Sequence, residues 1–149
     1  VTQLVDDQLL GAVLRGSPPP SPDDPLFTTG CFYVRLCQAV LSSDTAVGVL
    51  SSPFNALSEE LQDRATSALL ALPEEIGLVS LRELAPIIGR LRGRHALNIL
   101  GMEVLAAAVY LEADVYLSAP SPRIVDALRR EGRGVEIIAE VTRRPGKSK

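Results

Sequence analysis

The chain has one histidine and two cysteines in 149 residues. A zinc centre of ordinary composition is built mainly from those two residue types, so such a site is close to excluded. Cys31 and Cys37 fall in the same predicted helix at a spacing that does not bring two sulfurs into bonding geometry, and both are expected to be small core residues. No apolar run approaches the length of a bilayer span. The opening VTQLVDDQ places no basic stretch ahead of an apolar one, so the expectation is a cytoplasmic protein with no membrane contact. G-x-G-x-x-G and Walker-type loops are both missing, which removes local support for nucleotide binding. Nothing repeats at a fixed period. An excess of positive charge is missing too: the net charge is −3, so the molecule as a whole does not advertise itself to nucleic acid.

What is present fits one globular domain long enough to bury a core. The domain is expected to span 1–142, with 143–149 a disordered basic tail. Charge is unevenly spread. Lys and Arg concentrate in GRLRGRH, RREGRG and TRRPGKSK, whereas acids dominate earlier, in VDD, PDD, SEELQD and PEE. The basic half either contacts phosphates or is a solvated surface with a frayed end.

Along the chain, Gln3 to Val5 reads as a strand that runs into a short helix, DDQLLGAVL, with an acid at its start. Arg15 to Pro25 holds five prolines and is therefore a stiff loop. Thr29 caps a helix over Gly30 to Leu41, and Ser42 to Pro53 has no clear pattern. Ser58 opens another helix that stops at Pro73. Glu75 to Ser80 reads as a buried strand, Ser80 begins a helix containing Pro86, and an apolar helix runs from about Leu97 to Ala113. A strand (DVYLS), a helix (SPRIVDALRREG) and a strand (VEIIAEV) complete the pattern. This alternation predicts an α/β fold: a three-layer sandwich around a central, mainly parallel sheet. Ligands of such sheets sit beyond the carboxyl ends of the strands, where Asp6, Asp7 and Ser118 are expected. Asp114 precedes its strand and belongs at the opposite end.

One residue breaks the pattern. Glu103 stands in the middle of LNILGMEVLAAAVYLEA, a helix apolar on nearly every face. A carboxylate is almost never fully buried unless it is paired or binds a metal. Glu103 therefore faces a polar cleft, pairs with an arginine such as Arg35, or lies on a narrow solvent stripe. Asp6 has two readings of its own, helix N-cap or ligand.

The order of these pieces resembles the PIN-domain family, the fold of VapC-type toxin ribonucleases. QLVDDQLL is similar to the family's opening strand, of the form L-V-D-x-x-x-L, with its acid at Asp6. The stretch from Ser67 to Ser118 resembles the family's later half, in which the third acid falls at Glu103. The resemblance implies catalytic and metal-binding roles for Asp6 and Glu103, Mg²⁺ or Mn²⁺ as cofactor, and RNA as substrate. It also implies an antitoxin-like protein partner and a homodimer. The acidic site is degenerate by the family's pattern. FTTGCFYVRLCQAVL offers Arg35 where a second acid is usual, YLSAPSPRI offers Ser118 and Ser121 in place of a further one, and the third acid is Glu rather than Asp.

Metal-dependent phosphodiester hydrolysis needs hard oxygen ligands that converge on the ion, which then activates water. Two carboxylates with several waters meet the minimum. A site in which an acid pairs with Arg35 instead would satisfy both groups and abolish the chemistry, leaving a non-catalytic module that binds protein or nucleic acid on the same fold. A small-molecule-binding α/β protein is a third reading. Ser118 has no base nearby in sequence, and His95, which follows Arg90, Arg92 and Arg94, reads as a helix-end surface residue rather than a general base.

Overall fold

A computed structural model describes residues 1–42 and 48–138. The predicted tail, 143–149, lies outside them. The fold is α/β. Five strands, β1 (Thr2–Val5), β2 (Leu26–Thr28), β3 (Ile76–Leu78), β4 (Ala113–Leu117) and β5 (Val135–Ile137), form one sheet in the order β3-β2-β1-β4-β5, and every neighbouring pair is parallel. Among the described residues, seven helices flank it: α1 (Asp7–Leu14), α2 (Gly30–Leu41), α3 (Ser52–Asn55), α4 (Glu59–Leu70), α5 (Leu81–Leu91), α6 (Ile99–Leu111) and α7 (Pro122–Arg130). No helix among those residues is long and apolar enough to cross a membrane.

The three layers follow from the pleat of β1. Successive strand residues point to opposite faces. Leu4 accordingly joins a core with Leu84, Leu105, Val115 and Leu128, from β4, α5, α6 and α7, and Val5 joins one with Leu10, Leu36, Phe54 and Leu69, from α1 to α4. All of these are almost wholly buried.

Two elements escape the sequence pattern. β2 is three residues long and follows directly on the proline-rich loop. Its place beside β1 is secured by Gln3, a buried amide whose Nε2 donates to the carbonyls of Ser21 (2.5 Å) and Asp24 (3.0 Å) and whose Oε1 accepts from the Ser21 N–H (3.0 Å). Satisfying a buried amide with loop backbone ties Arg15–Pro25 to the strand and delivers Leu26 alongside it. Phe27 then lies over Gly77 of β3, its register partner. A Cβ at residue 77 would come within 2.3 Å of the Phe27 ring, so any other residue at this strand position would displace that ring. The other unforeseen element is α3, four residues that sink Phe54 into the second core.

α6 is the helix most enclosed by protein. Gly101 to Ala108 are all buried, as a helix apolar on every side must be, with α2, α5, α7 and β4 packed around it. Its exit is abrupt. Glu112 adopts φ 51° and ψ 48°, the left-handed conformation, and β4 begins at the next residue.

Candidate functional site

The chain steps from β1 outward through β2 and β3, then returns to place β4 on the other side of β1. The carboxyl ends of β1 and β4 therefore bracket the topological switch point, where open α/β sheets hold their ligands. A cleft of about 270 Å³ opens there. Asp6, Asp7, Arg35, Ser118 and Ser121 are among its polar lining, and Phe32, Leu100, Leu117 and Ile124 form apolar walls.

Asp6 directly follows β1 and is the N-cap of α1. Its Oδ1 accepts the Leu9 N–H (2.9 Å), while its Oδ2 accepts the Ser118 N–H (2.7 Å) and the Ser118 hydroxyl (2.6 Å). One buried side chain thus starts a helix and bolts the ends of β1 and β4 together across the switch point. Ser118 acts as a donor to that acid.

Asp7 also faces the cleft, although neighbouring residues seldom share a site. It is 8% exposed and is the first residue of α1. Its Oδ1 accepts the Gln8 N–H (2.8 Å). Its Oδ2 lies 3.3 Å from Arg35 Nε, close enough for charge attraction, yet among the described residues no N–H is aligned on it and it has no hydrogen-bond donor. Burial and the charge of Asp6 raise the pKa of Asp7, against the opposing pull of Arg35 and the Gln8 N–H. Arg35 therefore pairs with Asp7, not with Glu103. Its side chain remains 55% exposed at the cleft.

Glu103 lies elsewhere. It is fully buried and is not among the cleft-lining residues. Its Oε2 accepts the Gly30 N–H (3.2 Å) and its Oε1 the Cys31 N–H (2.9 Å), while Thr29 Oγ1 accepts the Phe32 N–H (3.2 Å). The first turn of α2 leaves N–H groups without intrahelical partners, and three of them are met this way. The positive end of the helix also favours a carboxylate. An acid in an apolar helix is thus accounted for by a neighbouring helix that needs a cap. Gly30 permits the approach, since a Cβ there would stand 3.2 Å from Glu103 Oε2.

The remaining reactive side chains take no part. Burial, reinforced by Glu103, pushes the Cys31 thiol up to about 11, far from a nucleophile's range. His95 is not on the surface. It is 7% exposed, and its Nε2 lies 2.6 Å from Glu131 Oε2, which Arg94 also grips (3.0 Å). The hydrogen bond from His95 is the main cause that lowers the Glu131 pKa, and burial opposes it. A polar pair across the ends of α5 and α7 buried this histidine, and its run of arginines gave no sign of it. Among the described residues, no group of three or more His, Cys, Asp or Glu is placed to hold a metal ion.

Fold and cleft together define a class: an all-parallel, open-sheet α/β protein with an acid–arginine cleft at its switch point. No family model matches the chain, and no curated protein or solved structure matches it either.

Proposed function

We propose that the chain is a PIN-like, non-catalytic binding module whose cleft receives its ligand directly, without a metal ion. The observation that carries this reading is the commitment of Glu103: both its oxygens accept helix N–H groups, and it does not line the cleft. Asp6 is likewise engaged, with three donors on its two oxygens. A hard divalent cation needs several free oxygen ligands in a near-octahedral set, so Asp6 and Glu103 do not fit Mg²⁺ or Mn²⁺. Asp7, the acid with acceptor capacity to spare, sits against the Arg35 cation.

The test is calorimetric titration with Mn²⁺ of the full chain and of Asp6→Ala and Asp7→Ala variants, alongside an RNA-cleavage assay with Mg²⁺ and Mn²⁺. The expected results are no saturable Mn²⁺ binding and no cation-dependent cleavage. Saturable binding that both variants lose, together with cleavage, would establish the second reading, a metal-dependent ribonuclease. That alternative draws on the neighbouring Asp6 and Asp7 at the end of β1 and on the unused Asp7 Oδ2. RNA, an antitoxin-like protein and a second copy of the chain are the partners that go with the PIN-like reading. RNA bound without cleavage is read by a gel-shift titration, and self-association by sedimentation.

A further inference from the structure

Building on direct, metal-free binding, the usable chemistry of the cleft points to a ligand class. Asp6 already holds three donors, so of the charged groups of the cleft those left to meet a ligand are one buried acceptor and one half-exposed cation: Asp7 Oδ2, with no hydrogen-bond donor among the described residues, and the Arg35 guanidinium, whose Nε lies 3.3 Å away. Beside them the amino end of α7 is open. Ser121 makes no side-chain capping bond, and Pro122 has no N–H, so the Arg123 and Ile124 N–H groups lack a partner from the cap. Such an end favours an anion.

A ligand with one charge suits this arrangement badly. A phosphate brought to Arg35 would lie against Asp6 and Asp7, and a lone cation on Asp7 would compete with Arg35 and leave the α7 end unmet. An α-amino acid carries an ammonium and a carboxylate on one carbon, and so presents opposite charges as close together as Asp7 and Arg35 present theirs. Apart from Gln8, Ser118 and Ser121, the rest of the cleft is apolar wall. At about 270 Å³, it falls below the range of about 300–1,000 Å³ of pockets for drug-sized ligands, which suits one amino acid better than a nucleotide.

We propose that the cleft binds a free zwitterionic α-amino acid with an apolar side chain. Its ammonium donates to Asp7 Oδ2, its carboxylate accepts from Arg35 and the open end of α7, and its side chain packs on Phe32, Leu100, Leu117 and Ile124.

The experiment is isothermal titration of the full chain with L-leucine, L-isoleucine, L-methionine and L-phenylalanine. Two further ligands are 4-methylpentanoate, which lacks the ammonium, and 3-methylbutylamine, which lacks the carboxylate. Saturable binding of at least one amino acid is expected, weakened about tenfold or more by loss of either charge from the ligand. Arg35→Gln and Asp7→Asn should weaken it equally. Arg35→Gln alters a half-exposed side chain, so it reads binding even if Asp7→Asn disturbs the fold. Equal binding of the amine would overturn the proposal in favour of a cationic side chain, and equal binding of the acid in favour of a simple anion. A Mn²⁺ arm separates the two levels. Heat from neither Mn²⁺ nor amino acids overturns the ligand class alone. Saturable Mn²⁺ binding lost in Asp7→Asn overturns the metal-free reading and this proposal together.

Discussion

Asp6 has donors for both of its carboxylate oxygens, whereas Asp7 has a hydrogen-bond donor for one. The difference makes Asp7 a liability for stability. Its pKa is raised above the ordinary 3.8 by burial and by Asp6, so the folded state holds the proton more tightly than the unfolded chain does. Such a group disfavours folding above its folded pKa, and the penalty fades as pH falls through that value toward 3.8. Asp7→Asn is therefore expected to be more stable than the parent in urea at neutral pH, with the gap closing in acid. A variant less stable at neutral pH would make Asp7 a structural partner of Arg35. An acid kept at a cost in stability is what a binding group looks like. Glu103 is the opposite case. Glu103→Ala strands two helix N–H groups and empties volume in the core, a loss on the order of 2–4 kcal/mol. Thr29→Ala, which removes one cap of the same helix, should cost about 1 kcal/mol. Equal losses in denaturation would mean that Glu103 contributes nothing beyond an ordinary cap. The sequence singled out Glu103 correctly as an anomaly and kept an arginine pairing open for Arg35. It could not show that the partners of Glu103 are two backbone amides more than 70 positions away, because backbone donors carry no residue signature.

Helix starts were legible because their chemistry is local. Asp6, Thr29, Ser58 and Ser80 each accept an N–H two or three residues on, as their residue types predict. β2 and α3 were not legible: three and four residues are too few to display a period, and each is held by distant contacts, β2 through Gln3 and α3 through Phe54. The last strand was expected through Val141; its described part is Val135–Ile137, and 139–141 lie outside the described residues. The join of α6 to β4 yields a prediction at this scale. Glu112 is the one described non-glycine residue with positive φ, and among the described residues no hydrogen bond or ion pair holds its side chain. Left-handed backbone costs an L-residue roughly 1–2 kcal/mol, and the greater freedom of glycine in the unfolded chain gives back roughly 0.4–1. Glu112→Gly should therefore raise stability by up to about 1 kcal/mol in urea or thermal melts, with binding unchanged. A destabilised variant would mean that the Glu112 side chain holds the helix end in some other way.

At the scale of the whole molecule, β1 gives a fully buried residue to each of the two cores. Leu4 packs toward α5, α6 and α7, Val5 toward α1, α2 and α4, and Asp6 ties the end of the same strand to β4. The two layers therefore do not have separate sheets on which to unfold. Removing volume from one of them should loosen the other by the same free energy. Leu105 belongs to the first core and Leu69 to the second, and both are fully buried. Truncation of either to alanine is expected to cost about 2–5 kcal/mol. In hydrogen exchange under native conditions, Leu69→Ala should speed exchange of the slowest amides in α6 as much as in α4, and Leu105→Ala should do the reverse with equal force. Acceleration confined to the mutated layer would show two units that open separately, with β1 belonging to one of them. In that event the cleft, which draws Asp6 and Asp7 from the end of β1 and Ile124 from α7, would be assembled by docking of one unit on the other. Coincident acceleration makes the cleft part of one cooperative structure, and that is what a preformed site for a small charged ligand requires, since a site ordered only on binding would offset part of its affinity with ordering entropy.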